Sequence, residues 1–199
     1  MLSDEELFSF VRNPRLVVPE LAPSDRHDPM SDMYQHLLVL WTTARFLPAL
    51  TVVELGTNDG TSTLPLLKAA AENSGVMHSV DIAPCPAAVA AVARYQLSPW
   101  WRFHMMSTAA FAASPACPTS IDLLFIDADH GYDSVKHDFE AFAPRVRRGG
   151  LILMHDYLLE QPAGVKQFIE ELKLKAWTPA TYEIAVLPYC YGLVIIRKL

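Results

Sequence analysis

The chain has 199 residues, of which 51% are hydrophobic and 19% are charged, and these proportions predict a single globular domain with a sizeable core. Sixteen basic and 22 acidic residues give a formal net charge of −6, which argues against nonspecific binding to nucleic acid. The three cysteines, Cys85, Cys117 and Cys190, have neither zinc-site spacing nor the pattern of a disulfide framework, and we therefore expect a reducing, cytoplasmic setting.

Residues 1–50 are predicted to form an N-terminal arm and a helix, with the arm a candidate lid over a site. Four prolines in the first thirty residues indicate irregular structure apart from a short helix near 4–12. From Ser31 onward, Tyr34, Leu37, Leu38 and Trp41 recur at helical spacing. The acidic start does not resemble a signal peptide, and the apolar stretch from Leu37 is too short to cross a bilayer. We expect no membrane association.

Residues 51–199 predict alternating strands and helices. The first five predicted strands are 51–55, 76–81, 101–105, 121–126 and 151–154, and the intervening helices cover about 62–73, 86–95, 132–146 and 165–172. Gly149 and Gly150 are expected to end the 132–146 helix, with the cluster of Arg145, Arg147 and Arg148 at its solvated end. Two last strands, 181–187 and 191–197, have a short connection and must be antiparallel. The prediction is an α/β fold: a doubly wound, mostly parallel seven-stranded sheet, Rossmann-like, with a C-terminal antiparallel hairpin.

The segment from Val52 to Ser62 indicates a ligand site between a strand and a helix. An apolar run ends in Glu54-Leu55, a turn with Gly56 and Gly60 follows, and a helical pattern begins after Thr61-Ser62. Glycine allows a close approach of backbone to a ligand, and the start of a helix presents free N–H groups to the same place. Asp81, at the end of the next strand, is placed to accept hydrogen bonds from ribose hydroxyls.

The details of this turn favour a cofactor without phosphates. A dinucleotide fingerprint has a glycine at the middle position, where this chain has Asn58. Asp59 adds negative charge where phosphates would lie, and no P-loop lysine follows. We therefore expect a small nucleoside-containing cofactor across the ends of the first two strands.

Two further polar stretches follow the predicted fourth and fifth strands. Asp127, Asp129 and His130 come directly after strand four, and His155 and Asp156 come directly after strand five. In a parallel sheet, ligands bind outside the carboxyl ends of the strands. We expect strand four to lie beside both strand one and strand five, so that Asp127 and Asp156 face one crevice.

Three motifs together resemble a known family. The pattern E-x-G-x-x-x-G followed by Thr-Ser-Thr resembles motif I of class I S-adenosylmethionine-dependent methyltransferases. The patterns I-D-A-D-H-x-Y and G-G-x-I-x-x-H-D-Y resemble a group of small bacterial O-methyltransferases, related to sugar, natural-product and catechol-type enzymes. The resemblance covers about 51–199. It implies an S-adenosylmethionine-binding domain that methylates a hydroxyl of a small-molecule acceptor, and it leaves homo-oligomerisation open.

The resemblance also implies which residues bind the cofactor. Relatives often have an acid after strand three, whereas this chain has Met105-Met106-Ser107-Thr108, so Ser107 is the remaining candidate there for contacting adenine. The implied cofactor-binding residues are Glu54, Gly56, Thr57, Asn58, Gly60, Thr61, Ser62, Asp81, Ile82, Ser107 and Asp127.

The catalytic end of the site is left with open alternatives. In metal-dependent relatives the position of Asp127 is a metal ligand, and an Asp-Asn pair stands where this chain has His155-Asp156. Either Asp127 and Asp156 hold a divalent ion, not necessarily magnesium, or the site has no metal. His130 is the preferred general base because its unperturbed pKa lies near neutrality. His155 is its rival, and Asp127 completes the predicted catalytic set.

Two other functions are consistent with the same pattern. One is an NAD-dependent oxidoreductase, which the absent middle glycine disfavours. The other is a non-catalytic nucleoside-binding protein that kept the fold, because fold alone does not prove activity.

Overall fold

We describe the fold from a computed structural model of residues 33–48, 50–175 and 178–199; the predicted short helix near 4–12 lies outside these ranges. The strands are β1 Thr51–Leu55, β2 Val76–Asp81, β3 Trp101–Met105, β4 Ile121–Ile126, β5 Val146–Met154, β6 Tyr182–Leu187 and β7 Leu193–Lys198. The α-helices are α1 Leu37–Arg45, α2 Thr63–Glu72, α3 Pro86–Arg94, α4 Thr108–Ala113, α5 Tyr132–Phe142, α6 Gly164–Leu174 and α7 Thr178–Thr181. Short 3-10 helices lie at Tyr34–His36, Ser98–Trp100 and Ala143–Arg145.

All seven strands form one sheet in the order β3-β2-β1-β4-β5-β7-β6. The first five strands are parallel to one another, and β7 runs antiparallel between β5 and β6. The predicted Rossmann-like sheet with its terminal hairpin is confirmed, as is the position of β4 between β1 and β5.

The sheet is covered on both faces, and its central strands are largely buried. Every residue of β4 is buried, as expected for a parallel strand between two helical layers. One core cluster contains Phe111 of α4, Phe142 of α5 and Phe168 of α6. The other contains Leu40 of α1 and Leu67 of α2, so α1 belongs to the packed domain. Within the described residues, no helix is long and apolar enough to cross a membrane.

The region around Gly149 differs from the prediction. Helix α5 ends at Phe142, and β5 already begins at Val146, which pairs with Ile121 before the register shifts. Gly149 has a positive φ of 73° inside the strand, consistent with a bulge rather than a helix end. Val146 fits the helical periodicity of 132–146, but it is also buried when it pairs with Ile121 of β4. Its position in β5 therefore satisfies the same need for burial.

The arginine cluster also differs from the predicted solvated helix end. Arg147 lies in β5 and pairs with Asp122, whose other carboxylate oxygen accepts the Thr51 N–H at 2.7 Å. Arg145 donates to the carbonyl of Ala112 at 2.7 Å. Arg147 thus connects β5 with β4 and, through Asp122, with β1, whereas Arg145 connects the 3-10 helix Ala143–Arg145 with α4. Helices α4 and α7 are short and were not predicted.

The strand ends that carry the predicted site residues meet at one edge of the sheet. The ladders continue just past the strands: Gly56 donates its N–H to Val80 at 2.9 Å, and Asp127 donates to Leu55 at 2.8 Å. His155 donates its N–H to Ile126 at 3.3 Å. These bonds fix the first residue after each of three strands.

Candidate active site

A cavity of about 680 Å³ opens at this edge of the sheet, within the usual range for small-molecule sites. It has two halves. The half between β1 and β2 is lined by Gly56, Thr57, Asn58, Asp59, Thr61, Ser62, Asp81, Ile82, Ala83, Pro84, Cys85, Pro86 and Ala87, and the half at β4 and β5 by Asp127, Ala128, His130 and Asp156, with Met33. We call these the cofactor half and the acceptor half.

The two glycines of the turn are required by the protein's own packing. Gly56 has a φ of 92°, and a Cβ there would lie 2.2 Å from the carbonyl oxygen of Asp127. Gly60 has a φ of 90°, and a Cβ there would lie 2.8 Å from the Cβ of Ala88. The two glycines therefore allow the turn to pack against the residue that follows β4 and against α3, in addition to the predicted close approach of a ligand.

The side chain of Asp81 holds this turn in place by accepting hydrogen bonds from the backbone of the turn. One carboxylate oxygen accepts the N–H groups of Thr57 and Asn58, both at 3.0 Å. The other accepts the N–H of Ala83 at 2.8 Å. Burial raises the pKa of Asp81, but these three donors outweigh it and hold the pKa below its ordinary value. The carboxylate is therefore ionised, and it still has lone pairs for a ligand.

Glu54 does not line the cavity but lies beneath the turn. It is completely buried, and its two oxygens accept the hydroxyls of Ser62 and Thr63, both at 2.8 Å. Ser79 hydrogen-bonds the same carboxylate and accepts the indole N–H of Trp101 at 2.8 Å. Burial raises the pKa of Glu54 to about 7 despite the three hydroxyls.

Other predicted cofactor residues differ in how they are placed. Thr57 is buried, and its hydroxyl is the one buried side-chain polar atom without a partner among the residues that the structure describes. Ile82 follows Asp81 and is 80% exposed, beside Met105 at the end of β3. Ser107 is exposed and caps α4 by accepting the Ala110 N–H at 3.2 Å; it does not line the cavity.

In the acceptor half, three side chains converge on one point. His130 Nε2 lies 2.8 Å from an oxygen of Asp156 and 3.7 Å from one of Asp127. One potential ligand atom from each of the three residues lies within 4.8 Å of the others. Hydrogen bonding to Asp127 and Asp156 raises the pKa of His130 to about 10. The two carboxylates therefore favour the protonated imidazole of His130, in contrast to the near-neutral histidine that the sequence suggested.

His155 lies behind these carboxylates and is buried. Its Nδ1 lies 3.3 Å from Asp156 and 3.6 Å from Asp127, and its Nε2 donates to the carbonyl of Cys190 at 2.7 Å. Burial lowers the pKa of His155, but the two carboxylates outweigh it and raise it to about 11. His155 does not line the cavity, so its geometry favours supporting the carboxylates over contacting a substrate.

Two site features have no signal in the sequence. His36 is buried and donates from Nε2 to the carbonyl of Tyr189 at 2.7 Å, and its ring meets that of His155 edge-on at 5.6 Å between centroids. The turn that supplies both carbonyls contains three consecutive residues with positive φ, Cys190, Tyr191 and Gly192. Only the short connection in the hairpin indicated a turn, and nothing indicated that its carbonyls hold two histidines.

Comparison with solved structures places the fold among methyltransferases. An O-methyltransferase from Streptomyces achromogenes involved in tomaymycin synthesis, solved with S-adenosylmethionine, is 18% identical with a TM-score of 0.68 and covers 99% of this chain and 91% of its own. A Podospora anserina methyltransferase bound to S-adenosylhomocysteine has a TM-score of 0.70 at 16% identity, over 100% and 98% of the two chains. A Bacillus cereus O-methyltransferase, also with S-adenosylhomocysteine, has a TM-score of 0.67 at 16% identity, over 98% and 90%. At these identities the likeness concerns the fold.

A sequence relative is an uncharacterised protein of Acanthamoeba polyphaga mimivirus. It is 32% identical over 82 residues, which is 38% of this chain and 37% of the relative. The match thus spans little more than a third of either protein.

A family model describing a methyltransferase domain matches residues 53–157. The matched segment runs from β1 through the glycine turn, Asp81 and Asp127 to the residue after Asp156, and so contains both halves of the cavity except Met33. Because this family model matches more than half of its length, the chain belongs to the methyltransferase domain family, and its seven-stranded sheet has the class I methyltransferase fold.

Proposed function

We propose that this protein is an S-adenosylmethionine-dependent methyltransferase that transfers a methyl group to a hydroxyl of a small molecule, of the sugar or natural-product type. The observation that carries the proposal is that one cavity joins the two halves: the glycine turn with Asp81 on one side, and the cluster of Asp127, His130 and Asp156 on the other. The cytoplasmic setting and any self-association stay predictions.

The cofactor half suits a nucleoside without phosphates. The ionised carboxylate of Asp81 retains acceptor capacity toward ribose hydroxyls, and the exposed Ile82 offers an apolar surface for a base. The partnerless hydroxyl of Thr57 can hydrogen-bond a polar group that enters the cavity. When bound, S-adenosylmethionine would supply a methyl group activated by a sulfonium.

The acceptor half would position the substrate oxygen and take its proton. As the new C–O bond forms and the C–S bond breaks, the bonding electrons pass to sulfur and the hydroxyl proton must leave. Asp127 is the more open carboxylate, with 19% of its side chain exposed against 6% for Asp156. The hydroxyl proton can pass to Asp127 while protonated His130 donates to the substrate oxygen, and His130 serves as the base in its neutral form.

The same three side chains also fit a divalent metal. Two carboxylates and an imidazole form a mixed oxygen and nitrogen set, which suits manganese, iron or zinc better than magnesium. Asp127, Asp156 and His130 would be its ligands, with the charge of the ion lowering the pKa of a bound hydroxyl. The two alternatives left open by the sequence, a metal site and a metal-free acid–base site, remain alternatives, and they differ in their response to a chelator.

The proposal is tested by binding and then by transfer. Calorimetry with S-adenosylhomocysteine and with NAD should show binding of the first only; binding of NAD alone would favour the oxidoreductase alternative. Purified protein with radiolabelled S-adenosylmethionine should then label hydroxylated sugars or phenols from a panel, with and without chelator. Binding without transfer to any acceptor across the panel would favour a non-catalytic nucleoside-binding protein.

A further inference from the structure

Helix α6 begins directly against the backbone of the loop that carries His130. Gly164 is the first residue of the helix, and a Cβ there would lie 2.3 Å from the carbonyl oxygen of His130 and 2.3 Å from the amide nitrogen of Tyr132. The backbone of Gly164 is helical, so this contact, and not an unusual φ, is what requires glycine. The helix and the His130 loop are therefore in backbone contact, with no room for a side chain between them.

The same helix also holds the two segments that supply the acceptor half. The phenol of Tyr132, at the start of α5, donates to Glu171. The phenol of Tyr157, which directly follows Asp156, donates to Glu170 at 2.5 Å. Two adjacent glutamates of one helix thus hold one residue from the segment after β4 and one from the segment after β5.

The other face of α6 is fixed in the core. Phe168 lies against Phe139 of α5, with 5.0 Å between the ring centroids. The buried residues of this face are Val165, Phe168, Ile169 and Leu172. Close-packed interiors transmit a displacement rather than absorb it, so we expect extra volume at Gly164 to move the loop rather than the helix.

The size of that displacement follows from the contact distance. Atoms that are 2.3 Å apart must separate by about 1 Å to reach an ordinary contact of 3.4 Å. His130 Nε2 lies 2.8 Å from the Asp156 carboxylate, and about 1 Å more would exceed hydrogen-bonding distance. A misplacement of about 1 Å in an active site can lower the rate about a hundredfold.

We propose that α6 is a positioning element of the acceptor half, which sets the distance between His130 and Asp156, and that Gly164 is its positioning residue. The inference rests on the proposed function and deepens it, because Gly164 acts through the loop of His130. Gly164 does not line the cavity, and it lies outside the segment 53–157 that the family model matches.

The test compares two glycines that have the same kind of contact at opposite ends of the strands. A Cβ at Gly75, which precedes β2 and does not line the cavity, would lie 2.0 Å from the carbonyl oxygen of Leu50. Gly164→Ala and Gly75→Ala should therefore both lower the free energy of unfolding in urea denaturation. At a temperature where both variants are folded, Gly164→Ala should lower kcat at least about thirtyfold and change the affinity for S-adenosylhomocysteine less than about threefold. Gly75→Ala should keep the wild-type kcat.

A spectroscopic readout makes the result independent of catalysis. The proton NMR signal of the His130 Cε1–H in the ligand-free protein, assigned as the signal missing from His130→Gln, reports on the position of the ring beside its carboxylates. We expect this signal to shift in Gly164→Ala and to coincide with wild type in Gly75→Ala. If wild type methylates no acceptor, the proposed function fails, while the His130 signal still tests the role of α6.

A second variant applies if Gly164→Ala does not fold. Tyr132→Phe combined with Tyr157→Phe removes both phenol bonds to α6 without adding atoms, and we expect a shifted His130 signal and a kcat lowered roughly three- to tenfold. A wild-type His130 signal and kcat in Gly164→Ala, or equal losses of kcat in the two glycine variants, would overturn the inference. Where Gly164→Ala does not fold, wild-type behaviour of the double variant would overturn it.

Discussion

The carboxylates in the two halves of the cavity are stabilised by different kinds of hydrogen-bond partner. In the cofactor half, the carboxylate of Asp81 is surrounded by backbone N–H groups that belong to the turn itself. In the acceptor half, Asp127 and Asp156 are held together by the imidazole groups of His130 and His155. Backbone donors are fixed by the fold, whereas side-chain partners can rotate, exchange protons or be replaced by an ion. This difference agrees with the proposal that the cofactor half binds and the acceptor half carries out proton transfer.

The largest expected effect comes from breaking the cofactor half at Gly56. In Gly56→Ala, the new Cβ meets the backbone of Asp127 and the residue must keep a positive φ, so we expect a loss of more than about 3 kcal/mol in the free energy of unfolding. Urea denaturation measures it. The control is Gly131→Ala, next to His130 in the chain, where the atom nearest to a new Cβ is the Asp129 Oδ1 at 3.4 Å; equal losses in the two variants would contradict the packing explanation.

Substitutions in the acceptor half should separate turnover from binding. Asp127→Asn and Asp156→Asn each remove a charge from the cluster of Asp127, His130 and Asp156, and we expect turnover to fall at least about a hundredfold, with S-adenosylhomocysteine affinity changed less than about threefold. Asp129→Asn is the matched control, because Asp129 lies in the same loop but bonds to Gly131 and Ser134 of its own segment. Normal turnover in both cluster variants would remove the carboxylates from the mechanism.

Loss of activity in chelator, restored by a divalent ion, would select the metal alternative.

Removing the carboxylate of Asp81 should have the converse effect, on binding. Asp81→Ala takes away the acceptor for Thr57 and Asn58 as well as the proposed ribose acceptor. Loss of a charged acceptor costs about 1.5–3 kcal/mol, roughly ten- to over a hundredfold in affinity. Calorimetry with S-adenosylhomocysteine measures the change, and an affinity equal to that of wild type would reject the placement of the ribose.

The smallest effect concerns two histidines in β2 and β3, His78 and His104, whose pKa values move opposite to those of His130 and His155. Burial and the neighbouring His104, whose Nε2 lies 3.0 Å from His78 Nδ1, lower the pKa of His78 to about 4. The folded protein thus disfavours the proton that the unfolded chain accepts near pH 6.5, so His78 costs stability as the pH falls from 6.5 toward 4. Because His78 is only half-buried, we expect about 1 kcal/mol between pH 7 and pH 5.

Replacing His78 should therefore flatten the acid limb of the stability curve. His78→Gln should lose less stability than wild type between pH 7 and pH 5 in urea denaturation. His137→Gln, at an exposed histidine of α5, should follow the wild-type curve. A parallel fall in wild type and His78→Gln would place the acid sensitivity elsewhere.

The cofactor half was more predictable from the sequence than the acceptor half, and the reason is locality. Gly56, Asn58 and Asp81 belong to one strand-turn-helix-strand unit, whose spacing determines where each residue lies. The position of Asp127 beside Asp156 followed from the rule that parallel strands end at one edge of the sheet.

The surroundings of the charged groups could not be read in the same way. The pKa of His130 depends on two carboxylates from two different strands, and the burial of Glu54 depends on hydroxyls from α2 and β2. The extension of β5 back to Val146 was missed because a buried apolar residue fits a helix and a strand equally well. Such properties depend on distant contacts, which a local pattern does not specify.

The carbonyls of Tyr189 and Cys190 also determine when the site can be completed during synthesis. Both belong to the turn between β6 and β7. In the sheet, β7 lies between β5 and β6. A ribosome that has reached residue 175 has already made Asp127, His130 and Asp156, but the edge of β5 still lacks its neighbour and the imidazole groups of His36 and His155 lack their acceptors. The arrangement of His36 and His155 described above therefore requires the hairpin, whereas Gly56, Asn58 and Asp81 of the cofactor half all precede it in the chain.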